Sequence, residues 1–369
     1  MKPETKYIRA IKKACEEEAF RNRHLSKPRK DFTRNRKLSL SNAIFYTLGN
    51  TRSSSSLEAY RFCEISGCET LSEAAIRKAR KKINYTAFRE LLVRTAQIAS
   101  AGKEYRGYQL VAVDGMKGVL PKVPALTEKY ARQNDHAAVF HAVAAYDVLN
   151  EVFLDSDFSF GIVSEYEHGV ELLDEVVENS QKTATEKIWI FDRGFPSLLL
   201  IQHLNAQNQK YVMRVSNHFI REVNEFRTSK AEDKEVKVAF NNRRLQTNRV
   251  KSEGEMTFEI RCVRIKLTSG EEEILITNLD RKEFSKGSIQ EIYGIRWGIE
   301  TGFHYLKHAV FAEEFTSRNE NGIQQDYYAS LLVHNFATCI CGRAWSKMLL
   351  KKGYKTSGSS SIRSTKEPQ

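Results

Sequence analysis

The chain has 369 residues, with 58 Lys and Arg against 46 Asp and Glu, a formal net charge of +12 and a mean hydropathy of −0.50. That length can hold two or three domains with a sizeable core, and nothing in the composition suggests a fibrous or disordered protein. The longest apolar runs, such as SLLLI at 197–201, fall far short of the ~20 residues a membrane span needs, so no membrane partner is expected. The N-terminus, MKPETKYIRAIKKACEEEAF, has acids inside it and no apolar h-region, which points to a cytoplasmic protein. The six cysteines (Cys15, Cys63, Cys68, Cys262, Cys339, Cys341) form no C-x-x-C pair and are expected to be reduced and structural.

Residues 1–100 hold 22 Lys and Arg against 10 Asp and Glu, and the remaining chain holds 36 of each. Within the first segment, RNRHLSKPRKDFTRNRK at 21–37 packs eight cations around Asp31. Such a block is too dense to fold alone and suits a polyanion, nucleic acid first; a solubilising tail is the plain alternative. A short apolar helix, SLSNAIFYTLGN, follows and ends at Gly49. Then LEAYRFCEISG stops at Gly67, and TLSEAAIRKARKKI carries Thr70 and Glu73 at capping-box spacing. These two helices have the outline of a helix-turn-helix, with Arg77, Arg80 and Lys81 expected on the exposed face of the second.

From residue 107 the texture turns strand-rich. YQLVAVDGMKG reads as a strand broken by Gly115, and AAVFHAVAAYDVLN with EVFLDSDFSF as a hairpin. EYEHGVELLDEVVE is a helix, EKIWIFDRGF a strand, PSLLLIQHLNAQN a helix opened by Pro196, and KYVMRV a strand. Three strands, helix, strand, helix, strand describe a mixed α/β sheet with helices packed on it. Residues 217 to about 283 interrupt this with KEVKVAF, FEIRCVRIKL and EEILITNL, a strand-rich insert carrying Arg243, Arg244, Arg249, Arg261, Arg264 and Lys266.

IYGIRWGIETGFHYLKHAV at 292–310 reads as one helix. At 100° per residue, Tyr293, Arg296, Glu300, His304 and Lys307 fall within about 80° of one another, beside a stripe of Ile292, Ile295, Ile299, Phe303, Leu306 and Val310. A solvated face with an ordinary Arg296–Glu300 pair is one reading. A site is the other. Asp114 in VAVDG and Asp192 in IWIFDRG are each expected at the carboxyl end of an apolar strand, where ligands gather in α/β sheets. With Glu300 they make three hard oxygen ligands, suited to two Mg²⁺ or Mn²⁺ ions that would drive an in-line phosphoryl displacement. Tyr293, Arg296 and Lys307 would grip the phosphates on either side. A zinc site from Glu300, His304 and His308 is disfavoured, because it leaves both Asp unexplained. Asp135 and Asp147 are expected to form turns.

VAVDGMKGVLP, IFDRGF and the Tyr-x2-Arg-x3-Glu-x6-Lys series of Tyr293, Arg296, Glu300 and Lys307 resemble the DDE transposases of bacterial insertion sequences, in the branch with the Tyr-Arg-Glu-Lys signature. FTRNRKLSLSNAIFYTL and AAIRKARKKINYTAFREL resemble that branch's N-terminal region, so the likeness spans roughly residues 30–345. The resemblance implies an RNase H-like catalytic core split by a β-rich insertion. It implies that Asp114, Asp192 and Glu300 bind two divalent metal ions, and that Tyr293, Arg296 and Lys307 contact double-stranded transposon-end DNA. Cleavage would run through a hairpin before joining to target DNA, in a homodimer on paired ends at the nucleoid. The expected organisation is a basic helical DNA-binding region over 1–105, core over 106–216, insertion over 217–283, second core part with the C-terminal helix over 284–345, and a basic flexible tail over 346–369. One departure stands out: the branch uses an insertion tryptophan to stack a flipped base, whereas the three here are Trp189, Trp297 and Trp345. Either Phe240 or Phe258 substitutes, since any aromatic face can stack a base, or the hairpin step runs differently. A DNA-binding protein without catalysis, and a nuclease of the same core that never joins ends, are the rival readings.

Overall fold

The computed structural model describes residues 1–33, 38–50, 53–131, 137–180, 185–240, 256–266, 270–308 and 314–351. Asp135, Arg243, Arg244, Arg249 and the tail beyond 351 lie outside them, as do the side chains of Phe240 and Trp345.

Eight strands form one sheet in the order β3-β2-β1-β4-β5-β8-β7-β6. They are β1 (Gln109–Val119), β2 (Val139–Asp147), β3 (Val152–Phe160), β4 (Lys187–Phe191), β5 (Lys210–Arg214), β6 (Asp233–Phe240), β7 (Met256–Lys266) and β8 (Glu272–Thr277). β1, β2 and β3 pair antiparallel, while β1, β4 and β5 run parallel. That order and polarity are those of an RNase H-like core, as expected. The inserted strands do not fold apart: β8 pairs antiparallel with β5 and continues the sheet through β7 to β6.

Alternation along the strands builds two cores. On β1, Leu110, Ala112 and Met116 face one way and Val111 and Val113 the other, as the two-residue period of a strand requires. The second face, with Trp189, Phe191 and Met213, is covered by α8 (Glu165–Ser180), α9 (Leu198–Ala206) and α10 (Arg221–Thr228). The first is covered by α6 (Thr86–Ala99), α11 (Lys286–Gly294), α12 (Trp297–His308) and α13 (Glu320–Lys351).

The N-terminal helices α1 (Pro3–Glu16) and α2 (Glu18–His24) share that first core, with Tyr7, Ile11 and Phe20 buried beside Leu91 and Leu332. The Tyr7 hydroxyl donates to the Leu332 carbonyl at 2.9 Å. Part of the basic block is held the same way: Arg21 donates to the Phe32 carbonyl at 2.8 Å, and Lys82 pairs with Asp31 at 3.1 Å. Residues 34–37 of the block lie outside the described residues.

α3 (Leu40–Leu48), α4 (Ser55–Ser66) and α5 (Glu73–Arg80) form the expected helical segment, with Gly67 in the left-handed region at the end of α4 (φ 63°). The cap of α5 is Ser72, which accepts from the Ala75 amide at 3.2 Å, not Thr70. Between β1 and β2 lies α7 (Pro124–Tyr130), which the sequence pattern did not suggest. Asp147 forms its expected turn: it is buried and accepts from the Asn150 amide at 3.0 Å. All six cysteines are free.

Candidate active site

Asp114 does not end its strand. β1 runs on through Gly115, paired with Val143, to Val119. What ends is the β1–β4 ladder, whose last rung is Val113 with Phe191. Asp114 is the next residue on β1 and Asp192 the next after β4, so two parallel strands deliver two carboxylates side by side. β1 can continue because β2 still pairs with it on its other side.

The helix expected over 292–310 is broken. α11 closes with Ile295 as its cap, α12 opens at Trp297, and Arg296 stands in the junction. The break redirects the polar side chains to different acids. The Tyr293 hydroxyl donates to Asp192 Oδ1 at 3.0 Å. Arg296 donates from Nη1 to Asp114 Oδ2 at 3.1 Å and from Nη2 to Glu300 Oε1 at 2.6 Å. Thus Asp114, Asp192, Glu300, Tyr293 and Arg296 converge. Lys307, one turn beyond His304, instead donates to the Lys117 carbonyl at 3.2 Å, three residues along β1 from Asp114.

A cation that the sequence reading missed completes the group. Arg214, at the carboxyl end of β5, sits with Nε 2.9 Å from Asp192 Oδ1 and Nη1 3.2 Å from Glu273 on β8. The signal was available: KYVMR is an apolar strand parallel to β4, and its last residue is a cation at the same sheet edge as Asp192.

The two neighbouring Asp side chains are driven in opposite directions. Burial, reinforced by the nearby Asp192 and Glu300 charges, pushes Asp114 up to about 6 against the pull of the Gly115 amide and Arg296. Burial also raises Asp192, but the Arg193 amide, Arg296, Arg214 and Tyr293 outweigh it, and the net shift is down. Burial and Asp192 raise the Tyr293 hydroxyl, which stays protonated as a donor.

The donor set fits a hard divalent cation. Among the described residues it consists of carboxylate oxygens bonded to Arg296 and Tyr293 and paired with Arg214, and one buried positive centre, Arg296, already draws Asp114 and Glu300 together. His304 and His308 are exposed, with ring centroids 4.3 Å apart and planes tilted by 47°. A separate Asp157, His168 and Glu171 group has ligand atoms within 4.8 Å of one another. It joins β3 to α8 on the opposite face of the sheet and is not the acid triad.

The expected DNA-contacting side chains on α5 divide. Arg77 and Lys81 are exposed and, with Arg318 and Asn319, line an open cleft of about 740 Å³. Arg80 is not on the exposed face. Its guanidinium binds Asp326 at 2.6 Å, Thr316 at 2.9 Å and Gln325 at 3.1 Å, tying α5 to α13. Two of the insert cations are also occupied structurally: Arg261 bonds Asp233 and the Phe284 carbonyl at 2.7 Å each, and Arg264 bonds Glu272 at 3.0 Å. Phe258 is half-buried against the second core. Trp189 is fully buried, whereas Trp297 is 64% exposed with its ring 5.9 Å from the Arg296 guanidinium.

The chain is 26% identical over 281 residues to a Synechocystis protein that carries the name of transposase for insertion sequence element IS4SA, covering 72% of this chain and 71% of the relative. It is 24% identical over 281 residues to transposase InsG for insertion sequence element IS4 of Escherichia coli K12, covering 72% of this chain and 60% of that relative. Among solved structures, the piggyBac transposase synaptic complex with hairpin DNA aligns at 12% identity and a TM-score of 0.41, over 86% of this chain and 66% of that one. A family model described as the transposase DDE domain matches residues 98–336, which takes in every strand of the sheet and all three clustered carboxylates, and the chain belongs to that family.

Proposed function

We propose that the chain is the DNA transposase of an insertion sequence, with Asp114, Asp192 and Glu300 as its catalytic carboxylates. The observation that carries this reading is the convergence of three acids from β1, the end of β4 and α12 around donors already bonded to them. The acids would hold two Mg²⁺ or Mn²⁺ ions, which when bound supply Lewis-acid stabilisation of the attacking and leaving oxygens of a phosphoryl displacement.

The chain's own donors do the rest. Arg296 presents a fork matched to a phosphate, Lys307 a compact charge beside β1, and Tyr293 and Arg214 keep Asp192 ionised and oriented. Exposed Arg77 and Lys81 bind the backbone of double-stranded end DNA, while Arg80 positions their helix. In the proposed hairpin step, Trp297 offers an exposed aromatic face beside the acids for an unpaired base, where the insertion lacks a tryptophan. Two copies would act on paired ends, at the nucleoid. Among the described residues no helix is long and apolar enough to cross a membrane.

The test is a cleavage assay on labelled DNA carrying the element's own terminal repeats, with Mg²⁺, Mn²⁺ or EDTA, comparing wild type with Glu300→Ala. Metal-dependent nicking, hairpin and joined product, absent from the variant, is the expected result. Cleavage without joining would make the protein a nuclease of the same core. Binding without cleavage in either metal would leave only a DNA-binding role.

A further inference from the structure

Arg296 is the most confined cation of the site. Its side chain is 5% exposed, its two Nη atoms are spent on Asp114 and Glu300, and its Nε is buried with no partner. The rings of Tyr293 and Trp297 stand 5.8 and 5.9 Å from the guanidinium. Asp114 and Glu300 lie on separate elements, β1 and α12, and this guanidinium donates to both. A divalent ion taking those two carboxylates needs the lone pairs that Arg296 now uses, and would place two positive charges against a third. Arg296 must then find another anion. A guanidinium fork fits a phosphate as well as a carboxylate, and the idle Nε is a spare donor for it.

We propose that Arg296 is an exchangeable counter-ion: it holds Asp114 and Glu300 until a nucleic-acid phosphate takes its guanidinium, so that metal loading and DNA binding assist each other. The inference rests on the reading of the three acids as metal ligands. The coupling is reciprocal, since whatever DNA does to metal affinity, metal does to DNA affinity. Arg296 is in this respect a positioning residue before it is a DNA contact.

The experiment measures Mn²⁺ binding by loss of the free-ion paramagnetic resonance signal, on the full chain without DNA. Arg296→Gln should bind Mn²⁺ about tenfold tighter than wild type, with Arg296→Lys in between because a single ammonium cannot fork across both acids. Arg221→Gln removes the same charge at the surface, where Arg221 is 82% exposed, and should bind as wild type does. Millimolar guanidinium chloride should weaken binding in Arg296→Gln back toward the wild-type value. End DNA should tighten Mn²⁺ binding in wild type but not in Arg296→Gln, after subtraction of the ions held by DNA. Thermal unfolding of each variant confirms that it is folded. If folded Arg296→Gln and Arg296→Lys bind Mn²⁺ no tighter than wild type while Glu300→Gln loses binding, the exchange is overturned and the metal ligands stand. If Asp114→Asn and Glu300→Gln bind as wild type does, the ligand assignment fails and takes the exchange with it.

Discussion

Asp114 and Asp192 are the first residues past the last β1–β4 rung, Val113 with Phe191, and this shared register brings their carboxylates together without any loop to place them. Substituting Asp114, Asp192 or Glu300 by Ala should therefore lower metal-dependent cleavage by ~10²–10³-fold or more, the scale for losing a group that acts in the transition state. Binding of end DNA should stay nearly intact. Parallel cleavage and gel-shift assays check both halves, and EDTA should reproduce the cleavage defect in wild type.

Arg77 and Arg80, three residues apart on α5, should respond differently. Arg80→Ala leaves Asp326, only 1% exposed, without its cation and should cost on the order of 3 kcal/mol, read by urea unfolding. Arg77 is 65% exposed with Glu73 at 3.6 Å. Its replacement by Ala should change stability by less than about 0.5 kcal/mol, but weaken DNA binding and reduce the salt slope by about 1.

Gly302 packs α12 against the sheet. A Cβ there would meet the Tyr146 ring at 3.1 Å and the Phe153 ring at 3.3 Å, both rings being buried. The ~1 kcal/mol helix preference of Ala over Gly should be outweighed by about 1–3 kcal/mol of overpacking. Gly302→Ala is thus expected to be less stable in urea and slower in cleavage, because Glu300 sits two residues away on the same helix.

His334 sets an acid limit. Its Nε2–H donates to the Glu151 carbonyl at 3.1 Å, its Nδ1 is buried, and burial lowers it from 6.5 to about 4. With the folded value depressed, the unfolded chain binds the proton first. Stability is full above about 6.5 and is lost as the pH falls toward 4, by up to on the order of 3 kcal/mol. His334→Gln should flatten that part of the profile, measured by urea unfolding at neutral pH and near pH 4.

The sequence by itself determined most element types, α7 and the break at Arg296 apart, because strand and helix periods are local: each expected strand of the core and the insert is present, and Gly49 and Gly67 end helices as their positions suggested. It also nominated the residues that meet, since an acid after an apolar strand and a polar stripe on a helix are readable from spacing alone. Register and partner choice were decided by the tertiary structure. The pairing of β2 with β1 carries the strand past Gly115, the helix gives way at Arg296 between α11 and α12, and the β5–β8 pairing joins the insert to the core sheet. Arg80 shows the same division most plainly. Its spacing on α5 matches that of a DNA contact, but a long side chain goes where a buried carboxylate needs a cation, and Asp326 is separated from it by 246 residues of chain.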